Sequence, residues 1–178
     1  FFHVGRIADS NAGALDGQLT VSNGGKILVE GNGPDSTFSG FQVARDPGAT
    51  GLLTIDGGEV ELRTGAGAEN GKFFHVGREA GTDGELRIEN GGVLKTGGEA
   101  TSFSGNLGRN GGSSGTMVVD GVGSRFEVVD GAGSFTSSLH VGRDETRDLT
   151  ISNGGVVDLN LGPGASSVSL GQGAGEDG

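Results

Sequence analysis

Three histidines stand at the same place in a repeated phrase, and their residue type suits metal binding. The phrase is FFHVGR at 1–6, and it returns intact at 73–78. The histidines are His3, His75 and His140. Imidazole nitrogen is a common zinc ligand and binds at about 2.1 Å. The repetition therefore raises the question of whether the chain holds a metal ion.

The spacing of these histidines argues against a shared metal. If each copy of the phrase forms one strand of a parallel stack, neighbouring strands lie about 4.8 Å apart. Gln42 and Asn106 take the histidine position in the intervening copies. Successive histidines are then roughly 9–10 Å apart, too far to share one zinc ion. We predict no metal and no cofactor, and we expect the histidines to be exposed on an outward face.

An arginine ends each of the five complete copies of the phrase, which is a more regular pattern than that of the histidines. The arginines are Arg6, Arg45, Arg78, Arg109 and Arg143. Guanidinium groups stacked one strand apart would repel, but acidic residues lie close by in sequence. These are Asp9, Asp46, Glu79 and Asp144. We predict a structural ladder in which arginines bridge neighbouring copies or bond corner carbonyls. The alternative is a ladder that binds anions or polysaccharide.

Each phrase opens a repeat unit with two further apolar segments in fixed order. The first unit continues with LTVSNGG at 19–25 and KILVEG at 26–31. Units begin near residues 1, 40, 73, 105 and 138, with a partial sixth from 167, so residues 1–178 form one array. The valine or leucine of the phrase recurs at spacings of 39, 33, 31, 34 and 29 residues. Such periods are typical of solenoids, in which each unit stacks on its neighbours.

Three short strands per unit, separated by glycine-rich corners, predict an all-β fold. We expect a three-sided parallel β-solenoid, a β-helix with one rung per unit. A propeller blade needs four strands, and a sandwich would not require the same residue at the same place in every unit. The 40 glycines among 178 residues suggest low complexity. However, the regular alternation of apolar and polar residues favours ordered strands.

Alternation along each strand assigns the side chains that face inward. In the first segment one such column is Phe2, Phe41, Phe74, Leu139 and Val168. In the second it is Leu19, Leu53, Leu86, Met117 and Leu149. In the third it is Ile27, Val60, Leu94, Phe126 and Val157. Together with a second column per segment, these residues predict a narrow continuous core.

The corner after the second segment has its own column, in which each residue is followed by glycine. Its members are Asn23, Asp56, Asn90, Asp120 and Asn153. Asn and Asp tolerate left-handed backbone and can hydrogen-bond their own main chain. We therefore predict a stacked turn at this corner, formed by all five residues.

Composition limits the classes of function. A net charge of −11 argues against nucleic-acid binding, which needs a basic surface. The chain has no Trp or Tyr, the side chains that most often anchor binding hot spots, and no cysteine. No apolar run is long enough to span a bilayer. The sequence begins without Met inside a repeat phrase, so we expect it to be a piece of a longer chain. No unit stands out chemically, which predicts a non-catalytic protein.

The alternation of V-G-R with G-x-L-T-I-S-N-G-G-x-V resembles the glycine-rich repeats of bacterial autotransporter (type V secretion) passengers and PEP-CTERM-associated surface proteins. MVVDGVGSRFEVV at 117–129 is similar to their V-x-G-x-G-S-x-(W/F) variant, with Phe126 in place of Trp. The resemblance covers all five units. It implies a right-handed parallel β-helix outside a Gram-negative cell, and it implies no catalytic residues.

These observations predict an extracellular structural or adhesive scaffold of a bacterial surface or secreted protein. The expected partners are a second copy joined end to end into a filament, the remaining repeats of the parent chain, or a host or matrix surface. The alternative is a β-helix module that binds or degrades polysaccharide. A rung whose corner residues differ sharply from their neighbours would favour that alternative.

Overall fold

The computed structural model describes residues 2–6, 16–31, 40–64, 72–98, 103–129, 137–142, 147–160 and 166–171. These residues form sixteen β-strands and no helix. In chain order the strands are β1 (Phe2–Val4), β2 (Asp16–Ser22), β3 (Lys26–Gly31), β4 (Gly40–Val43), β5 (Thr50–Asp56), β6 (Glu59–Thr64), β7 (Lys72–Val76), β8 (Asp83–Glu89), β9 (Val93–Gly98), β10 (Phe103–Leu107), β11 (Ser114–Asp120), β12 (Arg125–Val129), β13 (Ser137–Val141), β14 (Asp148–Ser152), β15 (Val156–Asn160) and β16 (Ser166–Leu170).

The strands assemble into three parallel sheets, which confirms the predicted β-solenoid. Sheet A has the order β1-β4-β7-β10-β13-β16. Sheet B has the order β2-β5-β8-β11-β14, and sheet C has the order β3-β6-β9-β12-β15. Each strand pairs with the strand three places along the chain. The described residues thus form five rungs of three strands and the first strand of a sixth.

The strand register keeps apolar side chains in columns, as the alternation predicts. Leu53 pairs with Leu19 on one side and with Leu86 on the other. Leu53 and Leu86 are fully buried, as are Val60 and Leu94 in sheet C. Because every rung repeats the same inward positions, one continuous apolar core runs along the stack.

Phenylalanine rings add an aromatic column to this core. The ring centroids of Phe2 and Phe41 are 5.2 Å apart, and those of Phe41 and Phe74 are 5.5 Å apart, with nearly parallel planes. Offset stacking at such distances stabilises beyond the burial of area alone. Phe126 continues the column from sheet C, with its centroid 5.6 Å from that of Phe74.

Phe103 and Thr96 are buried side chains that were not part of the predicted apolar columns. Gly105 takes the place of an inward side chain in the fourth rung, and Phe103, only 4 % exposed, fills the space beside it. A Cβ on Gly105 would lie 3.0 Å from the Phe103 ring. In sheet C, Thr96 pairs with Leu62 and Val128 and is buried where other rungs carry an aliphatic residue.

The corner between sheets A and B, here called the A–B corner, extends the backbone ladder around the bend. The amide of Gly77 donates to the carbonyl of Val43, and that of Arg78 donates to the carbonyl of Ala44. Gly77 has a φ of 71°, and a Cβ on it would lie 1.8 Å from the carbonyl oxygen of Ser114. Glycine is therefore required there for both conformation and space.

Candidate functional site

The corner between sheets B and C, here called the B–C corner, has two forms, which corrects the predicted turn column. Asp56 pairs with Ser22 and Glu89, and Asp120 pairs with Glu89 and Ser152. Both aspartates are therefore the last residues of their strands. They are not aligned with the asparagines, which lie one residue farther on, in the turn.

Corner length explains this difference. The B–C corners of the five rungs contain three, two, three, four and three residues. In the three-residue corners Asn23, Asn90 and Asn153 adopt left-handed φ of 53°, 53° and 50°. The following glycine is left-handed too, which makes these type I′ turns. In the shorter and longer corners glycine alone supplies positive φ, so aspartate stays in the strand.

The two corner forms alternate and bind each other across rungs. The side-chain amide of Asn90 donates to the Asp56 carboxylate at 2.7 Å, and that of Asn153 donates to Asp120 at 2.7 Å. The Ser152 hydroxyl also donates to Asp120. The hydrogen bonds from Ser152 and then Asn153 lower the pKa of Asp120. The B–C corner is thus a ladder of amide–carboxylate pairs.

The A–B corner carries the arginine column, with carboxylates interleaved. Nε of Arg45 lies 3.5 Å from Asp46, and Nε of Arg78 lies 3.2 Å from Glu79. Arg6 reaches across rungs to Asp46 at 3.9 Å. These are the pairings that the adjacent acidic residues suggested. Partly exposed ion pairs of this kind contribute little stability each, but they offset part of the positive charge of the column.

Further polar contacts tie this ladder together. The side-chain amide of Asn110 donates to Glu79 at 2.6 Å, and Nη2 of Arg147 lies 3.4 Å from the Ser113 hydroxyl. The backbone amide of Arg109 donates to the Gly77 carbonyl, which places Arg109 in the column. The remaining residues predicted for this ladder lie outside the described residues. They are Asp9, Arg143 and Asp144.

The histidine position of sheet A is not an exposed face, contrary to the prediction. His75 is 3 % exposed, and its register partners Gln42 and Asn106 are 1 % and 2 % exposed. His3 and His140 are partly buried. All four residues of β4 are buried, which shows that sheet A is covered on both faces there.

This covered position forms a buried polar column. Nε2 of Gln42 lies 3.3 Å from Nδ1 of His75, and the Phe73 ring stacks on the imidazole with centroids 4.7 Å apart. Buried polar groups need such partners, because each unpaired one is costly. Burial, followed by the positive charges of Arg6 and Arg45, lowers the pKa of His3.

Ion pairs cover the outer face of sheet C. Nζ of Lys26 lies 3.2 Å from Glu59 and 2.9 Å from Glu61, both in the next rung. Arg63 pairs with Glu61 within the same strand. Lys95, one rung farther, lies 3.5 Å from Glu59. Burial raises the pKa of Glu61, but hydrogen bonds from Arg63 and Lys26 lower it by a larger amount. The pKa of Glu61 is therefore below its usual value.

A shallow depression on the outer face of sheet B is the place where carboxylates could meet a ligand. Gln18, Thr50, Asp83 and Glu85 lie along it. The Thr50 hydroxyl donates to the Asp16 carboxylate in the preceding rung. Within the described ranges, no three histidines or carboxylates are grouped as metal ligands would be. Those ranges also contain no helix able to cross a membrane.

Comparisons with protein-family models, with curated proteins and with solved structures found no match to this chain.

Proposed function

We propose that this chain is a structural and adhesive repeat scaffold, a non-catalytic part of a bacterial surface or secreted protein. The observation that carries the proposal is the continuity of the ladders along the stack in the described residues. The strands and the A–B corners repeat their hydrogen bonds from rung to rung, and the B–C corners join neighbouring rungs through two alternating forms. Such a stack is a stiff rod with a repetitive surface, which suits spacing and attachment.

The pairing of the arginines supports this proposal over an anion-binding surface. Arg45 and Arg78 already face Asp46 and Glu79. An incoming anion would have to displace these carboxylates. The net charge of −11 favours an exposed, soluble surface. Together with the resemblance to autotransporter passengers and PEP-CTERM-associated proteins, it supports an extracellular location on a Gram-negative bacterium.

The proposed partners are a second copy joined end to end, the remaining repeats of a longer chain, and a host or matrix surface. In the last rungs apolar side chains that would face a further rung are open to solvent. Ile151 is 50 % exposed, Val168 is 54 % exposed and Leu170 is 74 % exposed. These residues lie on β14 and β16, which are the edge strands of sheets B and A. The backbone of an edge strand pairs readily with another chain segment.

Binding or cleavage of polysaccharide is the alternative, and the depression with Asp83 and Glu85 is the observation that favours it. Glycoside hydrolysis uses two carboxylates that flank the bond to be broken. Asp83 takes the place of Thr50 and Ser114, and Glu85 the place of Leu52, in neighbouring rungs. This rung therefore differs from its neighbours on one face.

Two experiments separate these functions. Cryo-electron microscopy of the protein in its native assembly should show rods whose ladders continue into the next segment, whereas capped ends with a furrowed face would oppose the scaffold. Incubation with acidic and neutral polysaccharides should produce no new reducing ends. Cleavage that is lost in Asp83→Asn or Glu85→Gln, but kept in the matched sheet C variant Glu127→Gln, would establish the enzymatic alternative.

A further inference from the structure

We propose that Asn110, in the A–B corner of the fourth rung, is a site of spontaneous deamidation. In this reaction the backbone nitrogen of Gly111 attacks Cγ of Asn110. A carbon–nitrogen bond forms, the bond from Cγ to the side-chain nitrogen breaks, and that nitrogen leaves as ammonia with the amide proton of Gly111. Water then opens the resulting succinimide to aspartate or isoaspartate. No oxidant or reductant takes part.

Asn110 is the first residue of a type II turn that recurs in the A–B corners of the second, third and fourth rungs. In each turn the amide of the fourth residue donates to the carbonyl of the first, as Ser113 donates to Asn110 and Thr82 donates to Glu79. The third residue is a glycine with positive φ, which is typical of type II turns. These glycines are Gly48, Gly81 and Gly112, with φ of 78°, 76° and 77°.

The second residue of these turns donates no backbone hydrogen bond. In the second rung it is Pro47, which has no amide proton. In the third and fourth rungs it is Ala80 and Gly111, and neither amide has an acceptor among the described residues. The A–B corners on both sides of Ala80 are described, so the free amide is a property of the turn itself. The nitrogen that attacks Asn110 is therefore not held by a hydrogen bond.

Asn90, in the B–C corner of the third rung, is the matched reference. The side-chain amides of Asn90 and Asn110 each donate to a carboxylate of the preceding rung, at 2.7 and 2.6 Å. Each asparagine is followed by glycine, which has no side chain to hinder the approach of its nitrogen. The amide of Gly91, however, donates to the Ser124 hydroxyl at 3.0 Å. A nitrogen held as a donor cannot turn towards Cγ, so Asn90 is protected.

Deamidation of Asn110 would extend the arginine–carboxylate pattern of the A–B corner. Asp46 and Glu79 each follow the arginine of their own rung and pair with it. In the fourth rung Asn110 takes this place after Arg109. The aspartate product would pair with Arg109 in the same way, while the hydrogen bond from the Asn110 amide to Glu79 is lost. This inference is independent of the proposed function, because it needs only the corner geometry.

The test is the rate of deamidation at each site in one sample of the full chain. The protein is incubated in mildly alkaline buffer, and peptides are mapped by tandem mass spectrometry at intervals. Asn110 should react about fivefold faster than Asn90, the factor equivalent to one net hydrogen bond. Equal rates at the two sites, or a slower rate at Asn110, would overturn the proposal.

Two substitutions of Gly111 test the attacking nitrogen itself. Gly111→Pro removes its proton, and Pro47 shows that the turn accepts proline at this position. No isoaspartate should then form at position 110, while the rate at Asn90 stays the same. Gly111→Ala is the milder variant, because Ala80 stands at the same position and a Cβ on Gly111 meets nothing within 4 Å. Its methyl group should slow the reaction at Asn110. Isoaspartate in the proline variant, or an unchanged rate in the alanine variant, would overturn the proposal.

Ser124→Ala is the reciprocal variant, because it removes the acceptor of the Gly91 amide and leaves the A–B corners intact. We expect the rate at Asn90 to rise about fivefold, while the rate at Asn110 stays the same. No change at Asn90 would show that the hydrogen bond of the following amide does not govern the reaction.

Discussion

Replacement of Gly77 by alanine is expected to destabilise the solenoid strongly, although it adds only one methyl group. Gly77 has a φ of 71°. In this left-handed region an L side chain costs about 1–2 kcal/mol. The added Cβ would also lie 1.8 Å from the carbonyl oxygen of Ser114 in the next rung. The substitution therefore combines a conformational cost with a steric one.

The two costs add, because one concerns the residue's own backbone and the other a neighbouring rung. The overlap is with backbone atoms, so it can be relieved only by moving the rungs apart. Overpacking of this kind costs about 1–3 kcal/mol. The expected loss for Gly77→Ala is then about 2–5 kcal/mol. This is a large part of the total of about 5–15 kcal/mol typical of folded proteins.

Gly48→Ala is the matched control for the conformational cost. Gly48 lies in the A–B corner of the preceding rung and has a φ of 78°, but a Cβ there would meet nothing within 4 Å. We expect it to cost only about 1–2 kcal/mol. Urea unfolding followed by far-ultraviolet circular dichroism gives both free energies of unfolding, provided that the slopes agree.

The geometry of Ala44 shows how this reasoning would fail. Ala44 occupies the Gly77 position in the second rung, with a φ of 54° and a fully buried methyl group. If the third rung relaxed to the same geometry, Gly77→Ala would cost no more than Gly48→Ala. Equal losses in the two variants would therefore refute the claim that close approach between rungs requires glycine at position 77.

Three further predictions follow from the packing and the pKa shifts. Phe103→Ala should lower the free energy of unfolding by about 3–5 kcal/mol, measured by urea titration, because the ring fills the space beside a glycine. Burial and two nearby arginines lower the pKa of His3 in the folded protein. The stability that His3 contributes is therefore present above about pH 6.5 and is lost as the pH falls through its folded-state pKa. Melting temperatures measured across this pH range should show the loss, and His3→Gln should remove it. Asn153→Ala should raise the pKa of Asp120 in an NMR titration, since one of the two hydrogen bonds that lower it is lost; an unchanged pKa would contradict the pairing.

The sequence predicts the fold well because the solenoid repeats its local rules in every rung. Alternation fixes which side chains point inward, and repetition fixes which strands pair. Leu19, Leu53 and Leu86 therefore appear in register as expected. The carboxylates next to Arg45 and Arg78 were also predicted as partners, because neighbours in sequence at a corner remain neighbours in space.

Three features could not be read from the sequence, each for a physical reason. Asp56 and Asn90 both precede a glycine and therefore look equivalent in the sequence. The length of the corner decides that Asp56 lies in the strand and Asn90 in the turn. Alternation assigns His75 to the outer side of sheet A but does not tell whether that side is covered. Phe103 lies outside the repeated phrase, and only its packing beside Gly105 explains it.

The central claim is that the strands form a parallel stack in register. Disulfide formation between pairs of introduced cysteines tests this claim most directly, because the chain has no cysteine of its own. Thr20 and Thr54 are register partners on the outer face of sheet B, and Arg87 is the partner of Thr54 one rung farther. Partners lie about 4.8 Å apart, within the range that a disulfide spans. We predict that Thr20→Cys with Thr54→Cys forms an intramolecular disulfide on mild oxidation, whereas Thr20→Cys with Arg87→Cys, roughly 9–10 Å apart, does not. Failure of the first pair, or bonding of the second, would contradict the stack.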